Sequence, residues 1–209
     1  MAARDWVQWH SGYADPGSVL ARRLAAVQQQ IRAALDAAPA GRISVVSTCA
    51  GEGRDLLAVL ADHPRAADVS ARLVELDPVL CERARATAAG LPSRVEVVMA
   101  DAGWTDAYVG AAPAQVALFC GVFGNISDVD IAATVAAAPS FVVPGGVVIW
   151  TRHRREPDLV PRMLEWFDSA GFEPLFVSPP DVGFGVGAHR LVGASRPLVA
   201  GQRLFAFQR

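Results

Sequence analysis

The sequence predicts an α/β fold: an open, mostly parallel sheet with helices packed on both faces. Three observations predict it. Short apolar runs rich in β-branched residues alternate with helical patterns along most of the chain. The first run, from Ile43 to Thr48, passes directly into a tight small-residue loop, Cys49-Ala50-Gly51-Glu52-Gly53, and then into a helical pattern. The chain has 209 residues and is 52% hydrophobic, enough apolar content to bury a parallel sheet on both sides.

Composition narrows the function. A net charge of −2 gives no general electrostatic footprint for nucleic acid. No apolar run approaches the ~20 residues of a membrane span, and Met1-Ala2-Ala3-Arg4-Asp5-Trp6 lacks the apolar core of a signal peptide. Cys49, Cys81 and Cys120 are odd in number and widely spaced, which suits neither a disulfide framework nor a metal site. A reducing cytoplasm and no metal are therefore expected. Neither register of the loop glycines gives G-x-G-x-x-G, because Leu56 or Arg54 occupies the third slot, so a dinucleotide is disfavoured. The phosphate-loop motif is absent as well.

Taken in order, the elements read as follows. Residues 4–16 crowd Trp6, Trp9, His10 and Tyr13 together, an arm that packs on the domain or closes over a site. Leu20, Leu24, Val27, Ile31 and Leu35 form one apolar stripe of a helix from Ser18 to Ala38, stopped by Pro39 and Gly41. Residues 1–38 are thus an N-terminal arm and helix, and 39–209 a single globular unit. In the loop after the first strand, Gly51 and Gly53 permit a sharp bend and close ligand approach, and the following helix start favours an anionic group. A short helix continues to Ala61. The stretch from Ala71 to Pro78 reads as a second strand ending in acid. Glu75 lies 22 residues after Gly53, a spacing suited to gripping ribose hydroxyls. Asp77 before Pro78 suits the cap of a helix over 79–89, and the two acids exchange roles if the strand ends later.

A third strand, Val95 to Ala100, leads to Asp101 and Ala102, where the carboxylate faces a purine amine or forms a turn. A fourth, Val116 to Cys120, runs into Gly121, Val122, Gly124 and Asn125, followed by a helix over 128–138. Cys120 reads as a small buried hydrophobe, and Asn125 as a ligand amide or a turn residue. Pro144-Gly145-Gly146 reads as a turn before a fifth strand, 147–151, with Arg152-His153-Arg154-Arg155 at its carboxyl end. That run binds an acidic substrate group or is a solvated face. A helix over 158–170 carries Leu159, Met163, Trp166 and Phe167 as a core stripe. Strands follow over 172–178 and 186–193, the latter containing His189, and residues 203–207 suit a last short strand.

Strand, glycine loop and helix, then an acid after the second strand, another after the third and a glycine-bearing loop after the fourth: this series resembles the class I S-adenosylmethionine-dependent methyltransferases, over about residues 40–195. The stretch from Trp9-His10 to Arg152-His153 is also similar to small bacterial members whose substrate is unassigned. The resemblance implies a Rossmann-like, seven-stranded sheet ending in an antiparallel strand pair. It implies that Cys49, Ala50, Gly51 and Gly53 lie under the methionine part of the cofactor. Glu75 with Leu76 would hold the ribose, Asp101 with Ala102 the adenine, and Cys120, Gly121 and Val122 the segment beside the sulfonium. Ser47 stands where the family usually has an acid, and Cys49 where it has its first glycine. Ser47 with backbone groups, Glu52 or Asp55 is then left to meet the cofactor's ammonium.

The expected activity is methyl transfer to an O, N or C atom of a small molecule by a monomer or homodimer, with S-adenosylhomocysteine as product. A user of the same cofactor that does not methylate, or a non-catalytic cofactor-binding protein, is the alternative. His10 and His153 are the candidate bases, with His189 third, because imidazole titrates near neutrality. Trp9, Tyr13, Asn125 and Arg152 are the candidate substrate contacts.

Overall fold

The computed structural model describes residue 15 and residues 17–208. Helix α1 (Val19–Ala37) begins where Ser18 Oγ accepts from the Ala21 N–H at 3.0 Å. Its Val27, Ile31 and Leu35 are buried, whereas Leu20 and Leu24 are half-buried. The turn after α1 is locked from a distance. The Arg65 guanidinium donates to the carbonyls of Leu35 (3.2 Å), Ala38 (2.6 Å), Pro39 (2.8 Å) and Gly41 (2.9 Å). Leu35 O is one of the orphan acceptors that a helix end leaves behind, and the other three belong to the C-cap and the turn beyond it.

Then follow β1 (Ile43–Thr48), α2 (Leu56–Leu60), β2 (Val69–Glu75), α3 (Pro78–Ala88), β3 (Arg94–Met99) and β4 (Ala114–Phe119). Next come α4 (Asp128–Ala137), β5 (Val142–His153), α5 (Val160–Ser169), β6 (Phe172–Val177) and β7 (Phe184–Leu191). The seven strands lie in the order β3-β2-β1-β4-β5-β7-β6. β1 to β5 are parallel, and β7 runs antiparallel to both β5 and β6. The expected Rossmann-like sheet with an antiparallel end is the observed one. Strand order reverses between β1 and β4, so the loops after these strands diverge and leave a crevice at their carboxyl ends.

Strand alternation sorts the core into two layers. Val45 faces α1 and α2 with Ile43, Leu56 and Leu60; Val46 faces the other side with Phe119, Phe141 and Trp150. Each such large side chain contributes roughly 1.5–3 kcal/mol by leaving water. Met163 and Phe167 of α5 close the second layer, while Trp166 is only part-buried and carries the Arg162 guanidinium 5.5 Å from its ring.

Two boundaries differ from expectation. Pro144-Gly145-Gly146 lies inside β5, not before it: pairing with β4 jumps from Ala114↔Val142 to Val116↔Val147, and Gly145 takes φ +80°. The extra residues bulge out of the ladder, so a turn-like tripeptide sits within a strand. Residues 203–207 form no strand. They make isolated bridges, Trp104↔Arg203 and Ile126↔Phe207, because they cross loops instead of running beside a strand.

Candidate active site at the carboxyl ends of the strands

The loop after β1 is built from left-handed backbone. Cys49, Gly51 and Gly53 have φ of +50°, +58° and +77°. Cys49 is the one non-glycine residue with positive φ among the described residues, at the position where the resemblance places a glycine. A Cβ on Gly53 would lie 2.7 Å from Leu57 Cδ1, so this glycine lets α2 pack close under the loop. Ala50 N–H donates to Val74 O (3.0 Å), and Gly53 N–H to Ala50 O (2.9 Å).

The loop and the acid of β2 form one unit. Glu75 Oε2 accepts from Gly51 N–H at 2.7 Å, and Oε1 accepts from Leu76 and Asp77 N–H at 2.9 Å each. A carboxylate has about four acceptor positions, so this pattern leaves room for a ligand hydroxyl. β2 ends at Glu75, and Asp77 caps α3 by accepting from the Val79 and Leu80 N–H groups. Leu76 beside them is 64% exposed, an apolar side chain turned largely to solvent.

At the end of β3, Asp101 Oδ1 accepts from Gly103 N–H at 2.8 Å, and Oδ2 lies 3.4 Å from Arg203 Nη2. The Arg203 guanidinium stacks over Trp104 at 5.1 Å. Ala102 is buried and its carbonyl accepts from Tyr108 Oη at 2.8 Å. The C-terminal segment crosses this edge: Leu204 N–H donates to Gly103 O, and a Cβ on Gly103 would meet Phe205 O at 2.4 Å. The same segment reaches the loop after β4, where Gln208 N–H donates to Asn125 O. Sequence reasoning gave residues 203–207 no place at the site; the apolar Leu204, Phe205 and Phe207 marked only a last short strand.

After β4, Gly121 takes φ +81° with open space where a Cβ would be. Its N–H donates to Thr151 Oγ1 (2.8 Å), and its carbonyl accepts from Asn125 Nδ2 (2.7 Å). Arg152 is buried at 7% exposure. It donates to Phe123 O, and its Nη2 lies 3.6 Å from Asp128 Oδ1. Both side chains therefore brace the loop from behind. His153 presents its ring edge to Gly124, whose added Cβ would lie 3.4 Å from His153 Cδ2. Nδ1 accepts from Arg155 N–H at 3.3 Å, which favours the neutral tautomer carrying its proton on Nε2. Burial, then the charges of Arg152 and Arg155, hold its pKa below the ordinary imidazole range.

Burial, with help from Glu75 and Asp101, pushes the Cys49 thiol well up; burial and the Asp55 charge do the same to Cys120. Neither suits a nucleophile. The loop 49–53, Glu75, Leu76, Asp101, Ala102, Cys120 to Val122, Asn125, Arg152 and His153 all lie at or just past the carboxyl ends of β1 to β5. Trp9, His10 and Tyr13 lie outside the described residues. His189 is elsewhere: it is 1% exposed, stacked 4.5 Å from Phe167 and 6.0 Å from Trp150, with both ring nitrogens unpartnered. Among the described residues, no group of three or more His, Cys, Asp and Glu side chains is placed to hold a metal, and no helix is long and apolar enough to cross a membrane.

No family model matches the sequence, and no curated protein matches it. Solved structures do resemble it. An O-methyltransferase family protein from Burkholderia thailandensis has a TM-score of 0.59 at 17% identity; the match covers 78% of this chain and 55% of that one. The 1,6-didemethyltoxoflavin-N1-methyltransferase of Burkholderia thailandensis, solved with 1,6-didemethyltoxoflavin and S-adenosylhomocysteine, has a TM-score of 0.59 at 19% identity, covering 92% of each chain. The [4+2]-cyclase SpnF has a TM-score of 0.56 at 17% identity, covering 82% of this chain and 81% of its own. At these identities the likeness shows the fold, which is that of the class I S-adenosylmethionine-dependent methyltransferases.

Proposed function

We propose that this chain is an S-adenosylmethionine-dependent methyltransferase acting on a small molecule. The observation that carries the reading is the coupling of Glu75 to the loop. One carboxylate spans the loop after β1 and the end of β2, keeps an acceptor position open, and stands beside the largely exposed Leu76. That combination fits a ribose with an adenine edge against an apolar side chain. Asp101 and Ala102 then meet the adenine, Cys49 to Gly53 the methionine part, and Cys120 to Val122 the reacting end. When bound, the cofactor supplies an already electrophilic methyl group. The protein's task is to align an acceptor behind it and exclude water, and alignment can contribute up to ~7–11 kcal/mol.

The acceptor side is the loop after β4. Asn125 and Arg152 hold its shape, and the open face of Gly121 admits a ligand atom. His153 donates from Nε2 to the acceptor, while His10 is the candidate base and Trp9 and Tyr13 the candidate covering side chains. Calorimetry with S-adenosylhomocysteine tests the cofactor assignment. Glu75→Ala should weaken binding at least tenfold; unchanged binding, or a preference of the wild type for a pyrophosphate dinucleotide, would sink it.

A second reading is favoured by the likeness to a cyclase on the same fold: the chain uses the pocket without transferring the methyl. Product analysis separates the two, since methyl transfer yields S-adenosylhomocysteine.

A further inference from the structure

Beyond β7 the chain returns to the carboxyl ends of β3 and β4. On the way, Ser195 Oγ and Arg196 N–H both donate to Pro139 O at 3.1 Å. Past Gly201 every second N–H finds a partner, the two-residue period of an extended chain. Gln202 N–H donates to Thr105 Oγ1 (3.0 Å) and Leu204 N–H to Gly103 O (2.7 Å), both in the loop after β3. Ala206 N–H donates to Asp130 Oδ2 (3.2 Å) in the first turn of α4. Gln208 N–H donates to Asn125 O (2.8 Å) in the loop after β4. The stretch is held down by its own side chains. Leu204 and Phe205 are buried, and Phe207 stands edge-on to Phe205 with ring centroids 5.8 Å apart.

Asn125 is the joint between this segment and the acceptor side. Its main-chain oxygen takes the Gln208 N–H, and its Nδ2 donates to Gly121 O at 2.7 Å. The loop from Gly121 to Ile126 is therefore braced from two sides. Thr151 and Arg152 of β5 hold Gly121 N–H and Phe123 O. The end of the chain holds Asn125 and, through the Ile126↔Phe207 bridge, the residue after it. Methyl transfer depends on the alignment of the acceptor, so a loop that drifts on one side loses that alignment.

We propose that Gln208, through its main-chain N–H, is a positioning residue of the acceptor site: it fixes Asn125, and Asn125 fixes the Gly121 carbonyl. This rests on the methyltransferase reading of the loop after β4. The cofactor side does not depend on it, because Gln202 and Leu204 hold Arg203 beside Asp101 by bonds of their own.

Two variants of the full chain separate the N–H from the side chain. Gln208→Pro deletes the donor; Gln208→Ala keeps it. Hydrogen exchange reads the loop, and calorimetry with S-adenosylhomocysteine reads the cofactor site. In Gln208→Pro the Gly121 and Asn125 amides should exchange at least tenfold faster. The amides of β1 and β4 should keep their wild-type rates, and affinity for S-adenosylhomocysteine should stay within twofold. Gln208→Ala should match the wild type in all three measurements. Unchanged loop amides in Gln208→Pro, a loss of protection spread evenly over the sheet, or a Gln208→Ala that behaves like Gln208→Pro would overturn the assignment while leaving the adenosyl site standing. If the wild type does not bind S-adenosylhomocysteine, the methyltransferase reading falls and the role assigned to Gln208 falls with it.

Discussion

At the scale of single residues, His153 shows how far chemistry departs from composition. A basic run at a strand end suggests a surface for acids, yet Arg152 is turned inward to Phe123 O and Asp128, and His153 holds a lowered pKa among two arginine charges. With Nδ1 accepting from Arg155 N–H, the neutral ring carries its proton on Nε2. Single-turnover methyl transfer should therefore slow about tenfold or more in His153→Ala, and also in His10→Ala if the acceptor arrives protonated. Rates within twofold of wild type in both would remove each from the mechanism. The spacing that singled out Glu75 was legible in the chain. Its grip on Gly51 N–H was not, because that contact joins residues 24 apart whose meeting depends on the register of β1 against β2. The orientation of Arg152 was hidden for a similar reason: a side chain's direction at a strand end is set by what packs there, not by its charge.

At the scale of elements, helices and parallel strands were readable because their periodicities are strong. The C-terminal segment was not, since it pairs with loops. It buries Leu204 and Phe205 in the layer with Phe119 and Phe141, and Thr134 Oγ1 donates to Leu204 O at 3.2 Å. Phe205→Ala should cost about 3 kcal/mol by leaving a cavity. It should also weaken S-adenosylhomocysteine binding severalfold, because the same segment presents Arg203 to Asp101. Urea titration reads the first effect and calorimetry the second. A loss of stability with unchanged affinity would show that the segment supports the core without shaping the site.

At the scale of the whole molecule, the sheet divides into a parallel part, whose strand ends carry the candidate site, and an antiparallel end. In that end a Cβ on Gly187 would lie 2.3 Å from the Trp150 indole, so glycine lets the aromatic ring lie on β7. His189 stacks in the same layer, and burial lowers its pKa to about 4. The sign follows from linkage. The unfolded imidazole, near ~6.5, takes up a proton that the folded one refuses, so stability falls as pH drops from ~6.5 to about 4 and then levels off. The difference corresponds to roughly 3 kcal/mol at full extent. Denaturation midpoints measured across this window should slope for wild type and flatten in His189→Leu; equal slopes would place the acid sensitivity elsewhere.

The two thiols at the ends of β1 and β4 acquire a meaning from this division of labour. A reagent able to alkylate sulfur would sit, on the proposed function, within reach of Cys49 and Cys120. Ionised, either one would compete with the acceptor for that reagent. Burial and neighbouring carboxylates raise both thiols above the ordinary cysteine range, so on the proposed function both stay poor competitors for the methyl group.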